Sequence, residues 1–239
     1  MSPRPATVEP GGGERCGAGR RGPGRPPGGG AQGASTRERI MRVAVELFAG
    51  KGFHGTGVAE IGIQAGVQRG ALYYHIGSKE ELLWDVLRAH VEQARATAWA
   101  IAQADVDATE KLRRLIHDHV LTIAAHRASV IVYVRDRDAL TEPRRTELER
   151  MRDEVEAVWR TVIEKGAADG TFRTADPVVV NGLLGTVNMV YLWYQPGGPD
   201  SPEEIAEKFV DLVTCGLLTD AARWPSNAGQ RRALGPDDA

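Results

Sequence analysis

From Thr36 to Leu217 the apolar positions recur at helical spacing, and no stretch alternates long enough to predict a strand. Ile40, Val43, Ala44, Leu47 and Phe48 form the i, i+3, i+4, i+7, i+8 stripe of an amphipathic first helix. Ser35-x-x-Glu38 fits a capping box at its start. Gly52 suits a left-handed cap at its end, with Phe53 packing back on Phe48. Two short helices follow between Gly57 and Ile76, divided at Ala65-Gly66-Val67. There Gly66 supplies the positive φ of a tight corner and Val67 fills the angle. Val58, Ile61, Ala65, Leu72 and Ile76 are the inward positions. A second capping box, Ser78-x-x-Glu81, opens a helix running to about Gln103, with Leu83, Val86, Leu87, His90, Val91, Ala94 and Ala98 on one face. At 1.5 Å per residue this helix is roughly 35 Å long, enough to leave one unit and enter the next.

The rest of the chain also reads as helix. Asp107 or Thr109 caps a segment from about 109 to 126, and His126 to Ala139 is centred on Val130, Ile131, Val132 and Val134. Thr141 is the expected cap of a long helix striped by Leu148, Met151, Val155, Val158, Trp159, Val162 and Ile163, ending at Gly166 or Gly170. Asp176-Pro177 is an N-cap followed by proline at the first helical position. It opens Val178 to Tyr194, which is apolar nearly all round and so is expected to be buried on several sides. After the turn at Gln195–Asp200, Ser201-Pro202-Glu203-Glu204 caps a last helix carrying Ile205, Phe209, Leu212, Val213, Gly216 and Leu217. The predicted class is all-α. The predicted divisions are a disordered Gly/Pro/Arg-rich tail (1–34), a helix-turn-helix unit (35–80), a helical body (81–220) and a mobile polar tail (221–239).

Charge sharpens this picture. Residues 1–79 carry 11 Lys/Arg against 5 Asp/Glu, and the remainder carries 19 against 27. A basic front and an acidic rear suit a polyanion at one end only. The two cysteines, Cys16 and Cys215, form no disulfide framework or four-ligand zinc site, so a reducing cytoplasm is the default. No apolar run approaches the ~18 residues of a membrane span, and the N-terminus lacks the apolar core of a secretion signal.

The second short helix is the chemical centre. A helix of about eight residues does not hold itself together in water and must be docked. Its outward residues are Gln68, Arg69, Tyr73, Tyr74 and His75, donors matched to phosphates and base edges in the manner of a recognition helix in a major groove. Arg69 suits guanine O6/N7 and Gln68 suits adenine N6/N7. Tyr73, Tyr74, His75 and Lys79 suit phosphate, and the bland alternative for the tyrosines is partial burial against the first helix. Upstream, Gly24-Arg25-Pro26 is similar to the core of an AT-hook, whose arginine enters the minor groove. A merely solvated leader is the competing reading of that segment.

The segment TRERIMRVAVELFAGKGFHGTGVAEIGIQAGVQRGALYYHIGSKEELL (Thr36 to Leu83) resembles the DNA-binding domain of the TetR family of bacterial repressors. The resemblance covers about 48 residues, and it implies a homodimer, an effector pocket in the helical rear, and release of operator DNA on effector binding. Carried onto this chain, the implied DNA face is Thr56, Gly57, Gln68, Arg69, Gly70, Tyr73, Tyr74, His75 and Lys79. Gly57 replaces a usual Thr or Ser that caps the helix, and Ile76 replaces a usual Phe. The turn WYQPGGP (Trp193 to Pro199) also resembles TetR-family repressors of steroid and fatty-acid breakdown, which respond to acyl-CoA thioesters. Asn188 and Leu192 stand where such proteins can carry an aromatic and a basic ligand contact.

Candidate pocket residues are Trp99, Tyr133, Trp159, Asn188, Met189, Tyr191, Leu192 and Trp193, each of the aromatics also reading as ordinary core. Candidate dimer residues are Gly182, Gly185, Phe209, Leu212, Val213 and Gly216, with an internal core as the alternative for the same positions. His117-Asp118-His119 does not converge on one metal, because residues two apart on a helix point away from each other. Arg135 to Arg152 alternates in sign and reads as a solvated face. There is no phosphate loop, nucleophile elbow or clustered acid–base set, so an enzyme is not expected, and neither is a cofactor. The expected partners are duplex DNA, a small apolar or acyl-CoA-type effector and a second copy of the chain. An architectural DNA-binding protein without an effector is the alternative function.

Overall fold

The structure, a computed structural model, describes residues 29–217, with side chains from Thr36 onward. The AT-hook-like segment up to residue 28, Cys16 and the C-terminal tail lie outside the described residues. Among the described residues ten α-helices account for the architecture: α1 (Gly29–Lys51), α2 (Val58–Gln64), α3 (Arg69–Ile76), α4 (Lys79–Gln103), α5 (Ala108–Ala125), α6 (Arg127–Asp136), α7 (Arg144–Ala168), α8 (Pro177–Asn188), α9 (Val190–Trp193) and α10 (Pro202–Leu217). No strand occurs among the described residues.

Most helix ends follow the local chemistry. Ser78 Oγ accepts from the Glu81 amide at 3.0 Å while Glu81 accepts from the Ser78 amide at 3.1 Å, a closed capping box. Ser201 and Glu204 repeat it at α10. Asp107 and Asp176 each accept from an amide in the first turn of their helices. At Gly52 (φ +81°) α1 terminates, and the Phe48 and Phe53 rings lie 5.5 Å apart.

Four local expectations are corrected. Helix α1 begins at Gly29, so residues 29–34 are helical and Ser35 lies within the helix, not at its cap. Extending an existing helix backward needs no new nucleus, which offsets the poor helix propensity of Gly29, Gly30 and Gly33. Pro143, not Thr141, precedes α7; the Thr141 amide and hydroxyl donate instead to Glu80, at 3.0 and 2.7 Å. The helix expected over Val178 to Tyr194 breaks at Met189 into α8 and α9. It is also not buried all round, since Val178 is 79% and Leu192 59% exposed.

Two cores form. One joins α1–α4 and recruits Val132, Leu140, Leu148 and Met151 from beyond residue 81, so the expected division at 80/81 is crossed by packing. The other gathers α5, α7, α8 and α10 around Trp159, Ile116 and Phe172. Helix α4 belongs to both: Leu83 and Leu87 sit in the first core and Ala98 in the second.

Candidate nucleic-acid interface and effector cavity

Helix α3 is docked by two residues. Leu72 (1% exposed) and Ile76 point into the first core, one helical turn apart, and α2 presents Ile61 and Ala65 to the same core. At Gly62 a Cβ would meet Leu72 Cδ2 at 3.0 Å and the Val67 carbonyl oxygen at 3.2 Å, so the missing side chain lets α2 and the turn close tightly. Gly66 holds φ +62° in that turn, as the corner requires. With Leu72 fixed inward, Gln68, Arg69, Gly70, Tyr73 and Tyr74 are exposed, Tyr74 at 86%. His75 is half-buried, its ring edge-on to Tyr74 at 5.4 Å.

Three positions of the expected DNA face behave differently. Thr56 is 2% exposed, and its hydroxyl donates inward to the carbonyls of Gly52 (2.8 Å) and Leu47 (3.2 Å). Its side chain therefore locks the α1–α2 corner and is removed from the DNA face. Gly57 is exposed as the N-cap of α2 but offers no capping side chain. Lys79 holds its Nζ 4.4 Å above the Phe53 ring, where burial lowers its pKa and Asp136 partly offsets that. One residue of this face escaped the sequence reading. Ile63, 80% exposed on α2, borders the same cleft as Gln68, Arg69 and Tyr73. An aliphatic tip there suits sugar edges or a thymine methyl. The only signal was an apolar residue lying off the inward stripe.

The body holds a cavity of about 300 Å³ between α4, α5, α6, α7, α8 and α9. It brings together Tyr133, Trp159, Asn188, Met189 and Tyr191. Trp99, Leu192 and Trp193 fall outside its lining and are more than half exposed, a correction to the expected pocket. The break at Met189 turns the last two away from the register a continuous helix would have kept. Six polar lining residues were not anticipated: His90, His119, Thr122, Arg137, Arg152 and Glu156. The His90 ring packs 6.1 Å from Tyr133, and burial, with the charges of His119 and His126, lowers its pKa to about 4. His119 Nε2 lies 2.6 Å from Asn188 Oδ1 and its ring meets Trp159 edge-on. Burial lowers its pKa too, against that hydrogen bond. His117 turns the other way, to Glu207 at 2.9 Å.

Two polar ties join the cavity's walls to the DNA-facing end. Arg135 on α6 donates to the carbonyls of Phe48 and, at 3.1 Å, Ala49, satisfying groups that the end of α1 leaves over and placing a cation at its negative pole. Beside it Asp136 is 7% exposed, so the start of the charged run 135–152 is packed and not a solvated face. The second tie is Glu80 with Thr141, joined by Arg144 to Glu81 at 3.2 Å. Arg135 lies between Tyr133 and Arg137, which line the cavity.

The candidate dimer residues divide. A Cβ at Gly182, Gly185 or Gly216 would meet nothing within 4 Å; Gly182 and Leu212 (62%) are exposed, while Gly185 and Gly216 are half-buried. Val213, by contrast, is buried in the body core on the inward stripe of α10 with Ile205, Val210 and Leu217, which takes it off the outer face. Phe209 is half-buried and stacks on Trp193 at 6.4 Å.

A docked short helix with a polar outer face, joined by one long helix to a helical body that holds a cavity, is the architecture of a DNA-binding regulator. Residues 40–86 match the family described as "Bacterial regulatory proteins, tetR family", and residues 105–217 match "Tetracyclin repressor-like, C-terminal domain". The HTH-type transcriptional repressor KstR2 of Mycolicibacterium smegmatis is 30% identical over 190 residues, 78% of this chain and 93% of that protein. KstR2 of Rhodococcus jostii is 29% identical over 186 residues, 77% and 91% of the two chains. The structure of the ketosteroid transcriptional regulator KstR2 of Mycobacterium tuberculosis superposes with a TM-score of 0.72 at 27% identity, covering 77% of this chain and 95% of that one. The chain belongs to the TetR family and is a DNA-binding transcriptional repressor, not an enzyme. Among the described residues no helix is long and apolar enough to cross a membrane.

Proposed function

We propose that the protein represses transcription from the cytoplasm by holding a near-palindromic operator as a homodimer, and that a small apolar or acyl-CoA-type effector in the cavity releases it. The observation that carries this is the outward set Gln68, Arg69 and Tyr73 on a helix whose opposite side is pinned by Leu72 and Ile76. Gln68 and Arg69 read bases, Tyr73, Tyr74, His75 and Lys79 take phosphate, and the exposed amides of Gly57 and Gly70 allow close backbone approach. The chain then divides into the DNA-binding head (35–80) and the effector and dimer body (81–220). A lined cavity supports an effector-responsive repressor over an architectural protein, whose body needs none. The ketosteroid regulator among its relatives supports an effector with an apolar body. Linkage requires that an effector weakening DNA binding be weakened equally by DNA.

Operator selection followed by gel shift tests the head. Arg69→Ala is expected to cost ~1–3 kcal/mol on the selected site and to relax one base position, while Lys79→Ala weakens all sequences and flattens the salt dependence. Equal losses on operator and random DNA would remove Arg69 from base reading. For the dimer, the exposed positions Gly182 and Leu212, with half-buried Gly185, Phe209 and Gly216 beside them, form the contact, and Leu212→Asp is expected to give a monomer by analytical ultracentrifugation. A Leu212→Asp protein that stays dimeric and binds operator normally would place the interface elsewhere.

A further inference from the structure

We infer that Arg137 reads a negative charge on the effector, so that the cavity takes an amphiphilic anion with a modest apolar body and one anionic oxygen group. This deepens the effector reading above and rests on it. Val91, Ile123, Val130, Val155 and Leu184 make most of the wall, which fixes an apolar body. The polar groups facing that body are largely committed. His119 is bonded to Asn188, and Arg152 is paired with Asp153 at 3.1 Å and Glu156 at 3.3 Å. Arg137 is different. It is half-buried, its guanidinium sits 5.7 Å from the Tyr133 ring centroid, and it donates a 3.3 Å hydrogen bond to the Val134 carbonyl. The neighbouring carboxylate, Asp138, lies 3.9 Å away and is 76% exposed. A five-donor fork on an apolar wall, whose ion-pair partner is a long contact to an exposed carboxylate, is matched by a planar oxyanion.

Position supports the same assignment. A second, more polar cleft of about 280 Å³ shares Tyr133, Arg137 and Arg152 with the cavity, so Arg137 stands where the apolar space meets a polar one. The α8 wall supplies Leu184 and Asn188 but no cation, so charge is read from the opposite side. At about 300 Å³ the cavity is at the small end for ligand sites, which suits a body of about ten carbons. The polar cleft carries Arg145 and Arg152 as well as Asp138, Glu149 and Asp153, so with Arg137 its cations and carboxylates balance and it offers no excess charge to a polyphosphate. The anionic group therefore comes from a free carboxylic acid or, less well matched, from the phosphates of a thioester carrier.

Calorimetric titration of the full chain with sodium decanoate, 1-decanol and decanoyl-CoA separates these. Decanoate is expected to bind about tenfold or more tightly than decanol. Arg137→Gln abolishes that preference without changing decanol binding, and Arg137→Lys retains part of it. Decanoyl-CoA binding that falls with Arg137→Gln while decanoate binding does not would move the anion to the carrier's phosphates. Equal binding of decanoate and decanol, survival of the preference in a natively folded Arg137→Gln protein, or no binding of any of the three overturns the inference. Decanoate that binds through Arg137 yet leaves operator affinity unchanged would instead sink the effector reading and leave the anion site standing.

Discussion

Leu72→Ala is expected to abolish operator binding while lowering stability by ~2–5 kcal/mol, the range for a leucine truncated in a core that relaxes only partly. Leu72 is 1% exposed and sits under the face that carries Arg69 and Tyr73. Its Cδ2 also fills the space a Cβ at Gly62 would take, so its loss opens a void between α2 and α3 at once. An eight-residue helix has little intrinsic stability, and freeing one of its two anchors lets α3 leave the register in which its donors point outward. The body core contains no Leu72 contact, so the cavity and Trp159 remain in place. Chemical denaturation, gel shift and ligand calorimetry on one preparation check this together. Tyr74→Ala, at an 86% exposed site, is the control and should leave stability within ~0.5 kcal/mol. Wild-type operator affinity in Leu72→Ala would show that α3 is held by something other than its inward anchors.

Acidification is expected to cost roughly 2 kcal/mol between pH 7 and pH 5 through His90 alone, since each pKa unit is worth about 1.4 kcal/mol. His90 titrates near 4 in the folded protein against an ordinary value of 6.5, because burial penalises its imidazolium. Between those two values the unfolded chain binds the proton and the folded chain does not. Stability therefore falls as pH drops through 6.5, and the loss levels off below about 4. His119, also lowered by burial, adds in the same direction. Urea unfolding at pH 7 and pH 5 checks this: a His90→Gln variant should lose about 2 kcal/mol less over that span than the wild type. Parallel losses in the two proteins would place the acid sensitivity in other groups. Because both imidazoles line the cavity, the same neutrality leaves its charge to Arg137, Arg152 and Glu156 at neutral pH.

Much of the head was legible from residue order because its determinants are local. Capping boxes at Ser78 and Ser201, the N-caps Asp107 and Asp176, and the glycine corners at Gly52 and Gly66 each depend on residues within four positions. The inward stripe Ile61, Ala65, Leu72, Ile76 follows from helical spacing alone and decides which side of α3 remains for DNA. Cavity residues were half legible. Tyr133, Trp159, Asn188, Met189 and Tyr191 do converge, whereas Trp99, Leu192 and Trp193 do not, since a helix break and a face assignment decide them. Arg135, read as a solvated charge, instead caps a helix end 86 residues earlier, a pairing invisible in spacing.

Order along the chain thus determined the helices, their caps and the polar outer face of α3, because hydrogen-bonding caps and a 3.6-residue period act over a few positions. Packing decided what those elements meet. It buried Thr56 out of DNA's reach, carried the first core past residue 81, and set Arg137 at the edge of an apolar cavity. Each of these depends on contacts between distant segments, where close packing rather than local propensity selects among the available partners.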